Sequence, residues 1–111
     1  MREVLSVILE ANFKKNVDLG WRIQIECLET PWKHGSAYRG RWRVFCVSPD
    51  GADTQILVLR KNIEPKIILS LHGVAAFLVD MDVMVAVIPM VEGQKVEVTK
   101  DLKAITVIDD G

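Results

Sequence analysis

Trp21-Arg22-Ile23-Gln24-Ile25-Glu26-Cys27 is the stretch whose reading decides the fold class. Trp21, Ile23, Ile25 and Cys27 alternate with Arg22, Gln24 and Glu26, the period of two that puts one strand face against a core and the other in water. Its neighbours must therefore pair with a sheet or cover it.

Upstream, Val4, Leu5, Ile8, Leu9 and Phe13 recur at three- and four-residue steps with Glu3, Glu10, Lys14 and Lys15 at other positions, which predicts an amphipathic helix over Val4 to Phe13. Asp18-Leu19-Gly20 then punctuates the chain. Downstream, Thr30 to Ala37 reads as a loop by composition, and Arg39 to Ser48 as a second strand. Ser48-Pro49-Asp50-Gly51-Ala52-Asp53 is a turn signal, because Pro presets one dihedral and Gly accepts positive φ. The return strand, Gln55 to Arg60, carries apolar residues on both faces at Ile56 to Leu59 and belongs inside the sheet.

Beyond Asn62-Ile63-Glu64-Pro65, two readings compete. Either Asn62 caps a long helix, or Lys66 to Leu69 is extended and Ser70 caps a helix from Leu71 to about Asp80. The stripe Leu71, Val74, Ala75 and Leu78 directly after a serine favours the second. The β-branched run Val83 to Ile88 predicts a buried strand ended by Pro89, followed by a meander of Lys95 to Thr99 and Ala104 to Ile108. The expected architecture is α+β, a mainly antiparallel sheet of about six strands with an N-terminal helix and one central helix.

With 111 residues, 50% hydrophobic and 26% charged, the chain is expected to form a single compact domain over 1–111, and wholesale disorder is excluded. A net charge of -1 excludes a surface that is basic throughout, but leaves room for a local patch. The apolar stretch before Glu10 is too short for a signal peptide. Cys27 and Cys46 lack the spacing of a redox or stapled motif, so reduced thiols in a cytoplasmic protein are expected. Ile67 to Val91 has the length of a membrane span but contains His72, Gly73, Asp80, Asp82 and Pro89, so no membrane insertion is expected.

Motifs that carry chemistry are scarce. Cys27 and Cys46 lie in apolar company, where thiols are small hydrophobes, and His34 and His72 match no hydrolase pattern. The spacing of these four residues does not suit zinc, and Asp80 with Asp82 lacks a third oxygen ligand, so neither a metal nor a cofactor is expected. No phosphate-binding glycine loop or nucleophile elbow occurs.

The most informative polar feature is Trp32 to Arg43, with four cations, three aromatics and no carboxylate. Guanidinium groups meet phosphates and rings stack on bases, so the mixture suits single-stranded nucleic acid. The plainer alternative has Trp42 in the core and the arginines solvated or paired with Glu26 and Glu29. Apolar residues on both faces of three strands form a second feature, which calls for a covering partner, most simply a second copy related by a twofold axis.

The reading that follows is a non-enzymatic binding or adaptor domain, homodimeric, offering Trp32, Lys33, Tyr38, Arg39, Arg41 and Arg43 to a protein or nucleic-acid partner. The rival is a small-molecule-binding protein or small enzyme with a pocket between sheet and helix lined by Trp21, Cys27 and Phe77.

Overall fold

The computed structural model describes residues 6–100 and 106–108. Its spine is a long antiparallel hairpin of β2 (Arg22–His34) and β3 (Ala37–Val47). Ile23, Ile25 and Cys27 on β2 and Trp42, Val44 and Cys46 on β3 are all fully buried on the same sheet face, as the alternation in both strands requires.

Every other strand attaches to this hairpin. On the free edge of β3, β4 (Thr54–Leu57) pairs with Phe45–Val47, and β5 (Ile68–Ser70) pairs further along at Arg39 and Trp42. On the free edge of β2, β6 (Lys95–Val98) pairs with Ile23–Glu26 and is followed outward by β7 (Thr106–Ile108). β1 (Ser6–Ile8) closes the opposite edge, parallel to β4. The sheet order is β1-β4-β3-β2-β6-β7 with β5 beside β3, so the architecture is α+β and mainly antiparallel.

Two helices, α1 (Glu10–Asp18) and α2 (Leu71–Asp80), supply the core side chains opposite the buried sheet face. Phe13 and Val17, four residues apart on α1, and Val74, Phe77 and Leu78 on α2 are buried. The Phe13 and Phe77 rings meet edge to face with centroids 5.4 Å apart, the arrangement that brings a positive ring edge to a negative face. Ser70 caps α2 as expected, its hydroxyl accepting the Gly73 N–H at 3.0 Å. Both helices end alike. After α1 the Trp21 and Gly20 amides donate back to Asn16 and Val17, and after α2 the Val83 and Asp82 amides donate back to Leu78 and Val79, with Gly20 and Asp82 left-handed.

Three expectations are corrected. Ser6–Ile8 is a strand, and the first helix begins at Glu10 and ends at Asp18. Val4 and Leu5 lie outside the described residues. β4 is apolar on both faces and takes a neighbour on each side. Ile8 is spent in that pairing, and the stripe of the helix is Phe13 and Val17 instead.

The loop expected over Thr30–Ala37 is ladder up to His34, with only Gly35 and Ser36 in the turn. The run Val83–Ile88 is not a strand. It crosses instead as irregular chain, turning Val83, Ala86 and Ile88 inward while Met84, Val85 and Val87 face water. The buried Trp42 indole N–H fixes this crossing by donating to the Pro89 carbonyl at 2.8 Å. No helix among the described residues is long and apolar enough to cross a membrane.

A charged cluster links the end of α1, the turn after α2 and the residue two beyond β6. Lys14 Nζ lies 2.7 Å from Asp82 and 3.1 Å from Asp18, and Lys100 Nζ lies 2.7 Å from Asp18. The Asp82 bond raises the Lys14 ammonium, Lys100 lowers the Asp18 carboxyl, and Lys14 lowers the Asp82 carboxyl. Carboxylates held below their ordinary value of 3.8 favour the fold above that pH, and this contribution disappears as pH falls through the lowered values. The raised Lys14 contributes below 10.5 and ceases to do so only as pH rises past its raised value. All three groups are exposed, so salt screens the effect. At low ionic strength the thermal midpoint followed by circular dichroism should drop as pH goes below 3.8, and Asp82→Asn should make that drop shallower. An identical acid limb in the variant would show that the cluster does not contribute to folding.

Candidate functional site

Past Glu26 on β2 and Arg39 on β3 the hairpin loses its flanking strands. The hairpin end projects as an arm: Trp32–Arg39, with β5 still beside Arg39, forms its base, and Lys33–Tyr38 and His34–Ala37 extend as a two-stranded tip closed by Gly35-Ser36. Gly35 has φ +66°, as a two-residue turn with glycine first requires in order to match the strand twist. Two register irregularities on β2, between Cys27 and Glu29 and between Glu29 and Trp32, bend the strand where the arm leaves the sheet.

The arm is wet. Trp32 and Tyr38 are 43% and 49% exposed, and Lys33, His34, Arg39 and Arg41 are exposed as well. Register sets each aromatic across from a cation, Trp32 opposite Arg39 and Tyr38 opposite Lys33, on opposite faces of the ribbon. Among the described residues, Lys33, Arg39 and Arg41 form no ion pair. Arg41 stands opposite Glu29 in the ladder without bonding to it.

Arg43 behaves differently. Its Nε donates to Glu26 at 2.5 Å, and its guanidinium lies 5.3 Å from the centre of the Phe45 ring. With the pair Arg22–Glu97 at 3.4 Å, it belongs to an ion-paired sheet face and not to the arm. The six residues anticipated from sequence thus separate into five exposed on the arm and one engaged in the sheet.

Trp42 anchors the base of the arm. A Cβ on Gly40 would sit 2.7 Å from Cη2 and 2.9 Å from Cζ3 of its indole, so a buried glycine backbone is what the ring packs against.

The residues anticipated for a pocket do not converge. Cys27 and Phe77 are buried in the core, Phe77 against Phe13. Trp21 is half-buried and lines a cavity of about 410 Å³ with Val17, Asp18, Gly20, Thr99 and Lys100. A second cavity of about 480 Å³ lies among Ile8, Asn12, Asn16, Gln55 and Ile63. Beside it Asn16 donates to Gln55 at 3.1 Å, and Cys46 lies 3.7 Å from the same Gln55 oxygen. The sequence carries no sign of this trio, because its members come from α1, β3 and β4 and meet only in three dimensions.

Both thiols are free and buried, and burial pushes both above the ordinary thiol range, so they stay protonated at neutral pH. A bridge between them is excluded by register. Cys46 faces Ile23, four residues from Cys27 along β2, or about 13 Å, well beyond disulfide reach. Among the described residues no group of three His, Cys, Asp or Glu side chains is placed to hold a metal ion.

No protein-family model, curated protein or solved structure matches the chain. The functional reading therefore rests on geometry.

Gly40→Ala should destabilise the protein by about 1–3 kcal/mol through the collision with Trp42, read as a lower urea midpoint. An unchanged midpoint would mean that the indole is free to move aside.

Proposed function

We propose that the protein is a non-enzymatic binding domain that holds an anionic partner, nucleic acid or protein, on the arm from Trp32 to Arg41. One observation carries the reading: three exposed cations without ion-pair partners among the described residues share the projecting end of the hairpin with two exposed aromatics, in a segment lacking any carboxylate. Such an arrangement contributes nothing to the core and maintains a local positive potential on a chain whose net charge is -1. The sheet ion pairs show what the same residue types do when they serve the fold, since Arg43 finds Glu26. The protonated thiols weigh against a thiol enzyme as the rival reading. Two reduced cysteines accord with a cytoplasmic setting.

Arg39→Ala with Arg41→Ala should leave the circular dichroism spectrum and thermal midpoint unchanged, and should elute from phosphocellulose at lower salt than the parent protein. Elution at the parental salt concentration would remove the arm from the binding surface.

We infer further that the domain works as a homodimer, through the irregular crossing after α2. Met84 is 82% exposed, and Val85, Met90 and Val91 are 54%, 45% and 60% exposed, a run of apolar surface close together in the chain. The run Ile56–Leu59, whose two apolar faces suggested a partner, is mostly covered within the subunit, with Ile56 and Leu57 on β4 and Val58 after it buried and Leu59 exposed. Other exposed apolar residues, such as Leu19 and Val79, are scattered, whereas those of the crossing follow closely in the chain, and a twofold contact there buries the same patch from both copies. Sedimentation velocity across a dilution series should show a dimer that dissociates on dilution, and Met84→Lys with Val85→Lys should shift the population to monomer. A parent protein that is monomeric at every concentration would refute the dimer.

A further inference from the structure

We propose that the partner of the arm is a single-stranded nucleic acid, whose bases stack on Trp32 and Tyr38 while Arg39, Arg41 and Lys33 meet its phosphates. This rests on the reading of the arm as a polyanion-binding surface and narrows it to one class.

The arrangement of the aromatics makes the distinction. Trp32 and Tyr38 occupy opposite faces of the ribbon, each with a cation directly across the ladder. A duplex groove that accepts a two-stranded ribbon reads one face of it and leaves the other ring in water. A single strand is flexible and carries unstacked bases, so it can bend over the Gly35-Ser36 turn and offer a base to each ring and a phosphate to each cation. A lipid surface fits the ribbon poorly. The tip, His34-Gly35-Ser36-Ala37, is small and polar, whereas interfacial anchors put their apolar groups foremost. An acidic protein would use the cations but gives no reason for two half-exposed rings on opposite faces.

Arg39 and Arg41 are two residues apart on β3 and share a face with Trp32, so one side of the hairpin, at the base of the arm, presents two guanidinium groups and an indole together. The other side presents Lys33 with the Tyr38 ring. Stacking of this kind tolerates any base, since every base has a π-face, and the class expected is a strand of low sequence preference.

The test is fluorescence anisotropy with labelled single-stranded DNA and RNA of about 15 nucleotides, in the range of single-domain site sizes, beside the same DNA as duplex, dextran sulfate and phosphatidylserine vesicles. The single strands should bind at least about tenfold more tightly than the duplex. Trp32→Leu and Tyr38→Leu should each weaken that binding about tenfold without changing its salt slope. Arg39→Ala should instead lower the log–log salt slope by about 0.7, the loss of one phosphate contact on a single strand. Comparable affinity for duplex or dextran sulfate, with no effect of the aromatic variants, would overturn base stacking while leaving polyanion binding standing. Preference for the vesicles would overturn the nucleic-acid class. Failure to bind any polyanion would remove both this inference and the reading beneath it.

Discussion

The ladder between β2 and β3 is the constraint on which the rest of the structure depends. Antiparallel register sets Ile23, Ile25 and Cys27 beside Trp42, Val44 and Cys46, and this one pairing creates the buried face that both helices complete. Each edge of the hairpin then serves as a template, one for β4 and β5, the other for β6. A slip of one residue would turn this whole apolar set to solvent and bring charged side chains under the helices, so the register is specified strongly. Trp42 tightens it. Its ring lies against Gly40, its N–H bonds to Pro89, and it is fully buried, so the crossing after α2 is tied to the centre of the sheet.

The same ladder makes the arm. Because β2 and β3 outrun their neighbours, their far ends pair only with each other, and residues that would be half covered in a wide sheet stand in water. Charge divides along the hairpin. Arg22 and Arg43 have carboxylate partners on adjacent strands, whereas nearer the turn Arg39 and Arg41, beside β5, and Lys33, past it, have none among the described residues. Exposed ion pairs contribute little to stability, so the absence of such pairs on the arm costs the fold little and leaves its charge available.

Local chemistry was legible wherever a segment's neighbours in sequence are also its neighbours in space. The Ser70 cap, the Ser48–Asp53 turn and the alternation after Trp21 depend on contacts within a few residues, and each stands as read. The run Val83–Ile88 shows the opposite case. Its β-branched residues suit a strand, but in the fold it pairs with no strand, and burial of alternate side chains survives only in part. Ser6–Ile8 reverses the error, since a segment with helical spacing is recruited as a strand by the open edge of β4.

For the candidate site the division is similar. The basic and aromatic composition from Trp32 to Arg43 is plain in the sequence, and so is the alternation that buries Trp42 while its neighbouring arginines point away. The ladder sets a glutamate opposite each arginine, Glu26 across from Arg43 and Glu29 across from Arg41, and only the first pair bonds, Glu29 lying between the two register irregularities; the Asn16, Cys46 and Gln55 contact depends on three distant elements meeting. The amino-acid order alone determined the α+β class, the hairpin periods and the cap of α2, because these follow from dihedral preference and side-chain alternation over a few residues. Tertiary structure alone decided which strand edges were taken and where the hairpin ran free of neighbours, because a hydrogen-bonding edge can be occupied only once and its occupant comes from elsewhere in the chain.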